Sequence, residues 1–187
     1  MDREEAQRFE QSLLGWLDDA YNLARWLLRH DQDAQDAVQE AFVRAMRFAG
    51  GFRGGDRRAW LLAIVRNVCY TQLSRFRTAA SNVAFDEEQH QGAAGPAADP
   101  EAAALTKVDR ETLMRALEAL PVEYREAIVM REMEGLSYKE IAGTAGVPIG
   151  TVMSRLARAR DRLRRSLAGK SDESGEPGKA GRVRQVR

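Results

Sequence analysis

Arginine crowds one stretch near the C-terminus: Arg155, Arg158, Arg160, Arg162, Arg164 and Arg165, opposed there by a lone Asp161. Guanidinium groups at this density bind phosphate through charge-assisted hydrogen bonds. Val152, Leu156 and Leu163 recur among them at helical spacing, so the arginines occupy the outer faces of a helix with an apolar inner stripe. The preceding residues position that helix. Ser137 is a good N-cap, and Glu140 three residues later completes a capping box. Ile141 and Ala142 face inward, and small Ala142 admits a second helix closely. Gly146 sits where a turn needs positive φ, cheap only for glycine. Pro148 cannot continue the first helix, and a second helix starts near Gly150 or Thr151. A tight glycine turn followed by an arginine-studded helix is the helix-turn-helix geometry that enters a DNA major groove. The plainer reading, a helix pair with a solvated basic face, leaves the cap, the small residue and the glycine without a purpose.

Other chemistry is sparse. The only histidines are His30 and His90. Neither lies in a ligand-spaced cluster, and no nucleophile–base arrangement is visible. No catalytic residue, metal site or cofactor is therefore expected. The glycine-rich run Ala49-Gly50-Gly51-Phe52-Arg53-Gly54-Gly55-Asp56 matches neither phosphate-binding pattern, GxxxxGK[ST] or GxGxxG, and reads as a flexible turn. Cys69 is the only cysteine, which excludes an intrachain disulfide and fits a reducing compartment; it reads as a small buried residue on a helix.

These groups need a scaffold, and the patterning predicts an all-α one. With 187 residues, one or two small domains are expected. The formal net charge of +1 would not by itself suggest nucleic acid; the segregation of arginine onto the last long helix does. Residues 1–77 read as a first helical unit. One helix spans Phe9 to Leu28, with Leu13, Leu17, Tyr21, Ala24 and Leu28 on a shared side. A second runs from about Asp33 to Phe48 on the stripe Val38, Ala41, Phe42, Ala45 and Ala49. A third runs from about Arg57 to Phe76, packing Trp60, Leu61, Ile64, Val65 and Val68 inward. Arg66, Tyr70, Ser74 and Arg77 line another face of it. Residues 78–107 form an acidic linker with little to bury. Residues 108–168 form a second unit. Asp109 to Leu120 is its first helix, with Leu113, Leu117 and Leu120 inward; Pro121 opens the next, which runs to Gly135. Residues 169–187 are an expected disordered tail. The charged N-terminus has no signal-peptide core and no run is long enough to cross a bilayer. A soluble, cytoplasmic protein without membrane insertion is expected.

Two helical units, a slack linker and a C-terminal helix-turn-helix resemble a bacterial RNA polymerase sigma factor of the small extracytoplasmic-function group, which keeps only the second and fourth conserved regions. Asp36-Ala37-Val38-Gln39-Glu40-Ala41-Phe42 resembles the polymerase-binding segment. Ala59-Trp60-Leu61-Leu62-Ala63-Ile64-Val65-Arg66-Asn67 resembles the helix that reads and opens the minus-ten element. Leu120-Pro121, Tyr124-Arg125-Glu126, Glu140-Ile141-Ala142 and Gly150-Thr151-Val152-Met153-Ser154-Arg155-Leu156-Ala157-Arg158-Ala159-Arg160 resemble the fourth region.

The resemblance implies core RNA polymerase (its beta-prime clamp helices and beta flap) and promoter DNA as partners, with an anti-sigma factor common in the group. Asp36, Gln39 and Glu40 would face the clamp helices. Phe52, Arg53, Arg58, Trp60, Arg66, Asn67 and Tyr70 would serve the minus-ten element, with the loop from Phe52 to Arg58 holding a flipped base. At the minus-thirty-five element, Ser154 and Arg158 would read base edges, while Thr151, Arg155 and Arg162 would hold phosphates. Two positions depart from the family pattern: Met153, where a basic residue is usual, and Thr71, where aspartate is usual. The linker acids Asp86, Glu87, Glu88, Asp99 and Glu101 either solvate a tether or imitate phosphate in the polymerase's RNA exit path. The rival reading is a free-standing helix-turn-helix regulator that binds a palindromic duplex as a dimer.

Overall fold

In the computed structural model, residues 3–52, 54–82 and 110–171 are described. They are all-helical, with no strand among them. The first unit comprises α1 (Arg3–Leu14), α2 (Leu17–Leu28), α3 (Asp31–Phe48), a 3₁₀ turn (Ala49–Gly51) and α4 (Arg57–Asn82). The second comprises α5 (110–118), α6 (Val122–Ile128) with its π-helical continuation (Val129–Met133), α7 (Tyr138–Ala145) and α8 (Ile149–Ser171).

The expected single helix from Phe9 to Leu28 is instead two. The chain turns at Gly15–Trp16, where the Trp16 N–H bonds the Leu13 carbonyl at 3.0 Å. That turn rotates the stripe, so Leu13 is buried while Leu17 is exposed. α2 ends at Arg29, a non-glycine residue at φ +67°. His30 then caps α3 in extended conformation, so α3 begins earlier than its apolar stripe implied. Asp56 closes the N-terminus of α4, its Oδ1 accepting from the Arg58 and Ala59 N–H groups at 2.8 and 3.4 Å. α4 outlasts its apolar pattern and reaches Asn82. Cys69 is fully buried on it, and burial pushes its thiol up to about 12.

In the second unit Leu117 and Leu120 are buried, but Leu113 is exposed. Pro121 stands at the cap position, one residue before α6. α7 carries the full capping box: Ser137 Oγ accepts from Glu140 N–H, and the Glu140 carboxylate accepts from Ser137 N–H at 2.7 Å. Gly146 ends it at φ +65°.

The two units do not hang apart as separate bodies. One hydrophobic core runs through both, from Leu13, Leu23, Leu61 and Val65 to Val129, Met130, Ile141 and Leu156. Arg125 rivets them together. Its guanidinium donates to the carbonyls of Trp26 (2.6 Å) and Leu27 (3.4 Å) at the end of α2, and to those of Glu118 and Leu120 (2.9 Å each) at the end of α5. Last-turn carbonyls have no partner within their own helix, so one cation satisfies two helix C-termini. Burial, with Arg29 nearby, lowers Arg125 to about 10, which leaves it charged at neutral pH.

Candidate nucleic-acid interface

α8 presents its buried stripe, Val152, Leu156 and Ala159, to α6 and α7. Ser154 and Arg158 lie on its exposed side, and the Ser154 hydroxyl donates to the Thr151 carbonyl at 2.9 Å. Thr151 is half-buried. Arg162 is exposed and stacks its guanidinium on the Tyr124 ring at 5.2 Å, which holds it without consuming its charge. Arg155 departs from this picture. It turns toward the interior, with Nη1 3.6 Å from Glu126 Oε2. Met153 and Ile149 are about half exposed at the start of the helix.

On α3, Asp36 and Gln39 are exposed, whereas Glu40 is half-buried and pairs with Arg44 at 2.5 Å. Around the start of α4, Phe52 and Trp60 pack edge-on at 5.4 Å, and both meet Phe9 of α1. The Arg57 guanidinium lies 5.3 Å from the Phe9 ring and 5.8 Å from that of Phe52. Aromatic and cationic groups thus share one corner, the composition that stacks unpaired bases. Arg53 lies outside the described residues, as do the linker acids and residues 172–187. Asn67 is exposed on α4. Thr71 turns its hydroxyl back to the Asn67 carbonyl at 2.8 Å.

The remaining minus-ten candidates are occupied by the second unit. Arg66 donates through Nε to Glu126 Oε1 at 2.5 Å, and the Tyr70 hydroxyl bonds Glu126 Oε2 at 3.2 Å. The Arg66 guanidinium also stacks on Tyr70 at 4.2 Å. Arg58 donates to Glu134 twice, through Nη2 to Oε2 at 2.8 Å and through Nη1 to the carbonyl at 2.7 Å, while its Nε meets Asp19 Oδ2 at 2.5 Å. Asn22 adds a bond to Glu134 Oε1 at 2.5 Å. Burial pushes the Glu126 and Glu134 carboxyls above the usual glutamate range; Arg66 opposes it most at Glu126, and the Asn22 bond at Glu134. Burial and the neighbouring Glu126 likewise push the Tyr70 phenol up.

Neither glutamate was singled out by sequence reasoning. A signal existed for Glu126: Val122, Glu126, Val129 and Met130 share one helical face, and a carboxylate inside an apolar stripe requires a cationic partner. No group of three or more His, Cys, Asp or Glu residues placed to hold a metal occurs among the described residues. Nor, among them, is any helix long and apolar enough to cross a membrane.

Comparison with known proteins agrees with the two-unit architecture. Residues 14–78 match Sigma-70 region 2, and residues 110–163 match Sigma-70, region 4. The chain is 37% identical over 161 residues to the ECF RNA polymerase sigma factor SigE of Mycolicibacterium smegmatis, covering 85% of this chain and 61% of that protein. It is 39% identical over 137 residues to the ECF RNA polymerase sigma-E factor of Escherichia coli K12, covering 70% and 72%. Among solved structures it resembles the sigma factor RpoE in complex with the anti-sigma factor NepR from Bartonella quintana, with a TM-score of 0.68, 30% identity, and coverage of 87% of this chain and 98% of that one. CnrH in complex with the cytosolic domain of CnrY matches with a TM-score of 0.60 and 27% identity, covering 90% and 91%. With both sigma regions present in order and relatives at this level of identity, the chain belongs to the ECF RNA polymerase sigma factors of the sigma-70 family.

Proposed function

We propose that this chain is a dissociable, non-catalytic subunit that binds core RNA polymerase in the bacterial cytoplasm and directs it to a specific set of promoters. In this reading residues 1–77 bind the enzyme and open the minus-ten element, residues 78–107 tether, residues 108–168 read the minus-thirty-five element, and residues 169–187 are a tail. The observation that carries the reading is the pairing of two units with different tasks. An exposed recognition helix with Ser154 and Arg158 outward follows the Gly146 turn. A separate helix bears arginine and aromatic groups suited to unstacked bases. A free-standing duplex binder has no use for the second.

Asp36 and Gln39, with Glu40, offer acidic and amide groups to the beta-prime clamp helices, and α8 takes the minus-thirty-five duplex beside the beta flap. Binding power comes from the assembly: polymerase holds both reading units at high local concentration over two DNA elements. An anti-sigma factor is a further proposed partner, since the similar sigma factor RpoE was captured in complex with the anti-sigma factor NepR. The test is transcription in vitro with purified core polymerase on a genomic DNA library. New start sites sharing two spaced elements are expected when the chain is added. An unchanged start-site profile, with tight palindromic DNA binding by the free chain, would instead establish the dimeric regulator.

A further inference from the structure

The outward side of α8 carries two kinds of residue in neighbouring lines. Ser154 and Arg158 form a polar line. Ile149, Met153 and Ala157 form an apolar one beside it, each four residues from the last and all exposed. At that spacing side chains stack along one edge of a helix, about 6 Å apart. Ile149 is 48% exposed and Met153 52%, whereas Val152, Leu156 and Ala159 on the inner stripe are at most 1%. The ridge is therefore not needed to close the core. A Cβ added at Gly150, between Ile149 and Met153, would meet nothing within 4 Å, so an outside body has room to approach the backbone here. The flanking cations point to what that body is. Arg158 and Arg162 lie exposed on the same helix. Guanidinium groups around an apolar ridge suit a duplex, whose phosphates rim the major groove and whose base edges offer one apolar group there, the thymine C5-methyl. Methionine has no donor, so it cannot bond a phosphate or the acceptors of guanine. Its unbranched, polarizable chain adapts well to a methyl group.

We infer that this ridge reads thymine: Met153, flanked by Ile149 and Ala157, packs on a C5-methyl in the minus-thirty-five element and fixes one A·T pair there, with thymine on a set strand. The inference rests on the sigma-factor reading above and deepens it by naming a base that the helix selects. Labour on α8 is then divided. Ser154 and Arg158 read hydrogen-bonding edges, while the ridge reads by removing apolar surface from water. Cytosine in the same place would put an amino group under an apolar side chain, so the ridge selects by penalty as well as by contact.

The test uses the full-length chain bound to core polymerase, and a labelled duplex carrying a promoter found by the transcription experiment. Each thymine of the minus-thirty-five element is replaced in turn by deoxyuridine, which removes the C5-methyl and leaves the hydrogen-bonding edge intact. The wild type should bind about fourfold more weakly at one position, the worth of one buried methyl. Met153→Leu, still apolar, should keep that sensitivity. Met153→Gln, similar in length but polar, should bind the two duplexes within about 1.5-fold of each other. The side chain is half-exposed, so neither substitution disturbs the core. Equal binding of thymine and deoxyuridine duplexes by the wild type overturns the inference, as does a minus-thirty-five element without an A·T pair. A methyl effect that survives in Met153→Gln also overturns it, because DNA shape then carries the preference. Weaker capture of core polymerase by Met153→Gln, with no dependence on thymine, overturns it too and makes the ridge a protein contact. Failure to initiate at any promoter defeats the sigma reading itself; normal initiation without a methyl effect defeats only the reading of thymine.

Discussion

Single side chains separate tasks that share one helix. Arg158 is exposed on α8 with no ion pair among the contacts of the described residues, so its alanine variant should lose discrimination at one minus-thirty-five position, at a cost of about 1–3 kcal/mol. Anisotropy titrations across single-base substitutions of that element check this; an equal loss on every sequence makes Arg158 a phosphate contact. Arg162→Ala should weaken binding evenly and lower the slope of log K against log salt by about one unit. Cys69, with its thiol held up near 12 by burial, should resist disulfide-exchange reagents at pH 8 in the native chain and react at once in denaturant. Rapid labelling of the native protein would mean that α4 opens locally. At this scale the sequence was a partial guide. The outward direction of Arg158 and Arg162 follows from periodicity, because Val152, Leu156 and Leu163 fix which side is inner. The inward turn of Arg155 does not, because its partner Glu126 is distant in the chain and only tertiary packing brings them together.

Elements were legible where local chemistry sets their ends. Ser137, Glu140 and Gly146 occupy the cap and turn positions their types demand. Ser137→Ala should cost about 1 kcal/mol, because it orphans the Glu140 N–H and leaves only the bond from the residue-137 N–H to the Glu140 carboxylate. Equilibrium urea denaturation checks it, and a change below about 0.3 kcal/mol would show that α7 is held by packing instead. Elements were illegible where packing overrides pattern. Leu13 and Leu17 fit one helical stripe, yet the turn at Gly15–Trp16 buries one and exposes the other. Leu113, Leu117 and Leu120 also share a stripe, but only the last turn of α5 meets the core, with Ala116 buried beside Leu117. Periodicity reports which side of a helix is apolar, not how much of its length finds a partner.

For the whole molecule, the shared core predicts a single unfolding transition rather than one for each unit. Its pH response should bear the mark of the two buried glutamates. A carboxyl with a raised native pKa contributes most below the ordinary glutamate value, and that contribution fades as pH climbs through the raised one. Going from pH 7 to pH 5 should therefore favour the native wild type more than Glu126→Gln/Glu134→Gln, read as the difference between their Tm shifts. Identical shifts would show that both carboxyls titrate normally. The sequence led to two helical units on a slack tether, since each has its own apolar stripes; the surface that joins them combines a shared apolar core with buried ion pairs between residues far apart in the chain, which no local pattern announces.

The widened turn at Val129–Met133 ties these scales together. An i→i+5 ring accommodates one residue more than the α-helix does over the same axial distance. Excising a single residue there would let the segment relax into regular α-helix while the side chains after it keep their direction, because the bulge absorbs that extra residue. Glu134 would still face Arg58 and Glu126 would keep its place, so a one-codon deletion at this bulge would leave both ion pairs between the units fastened.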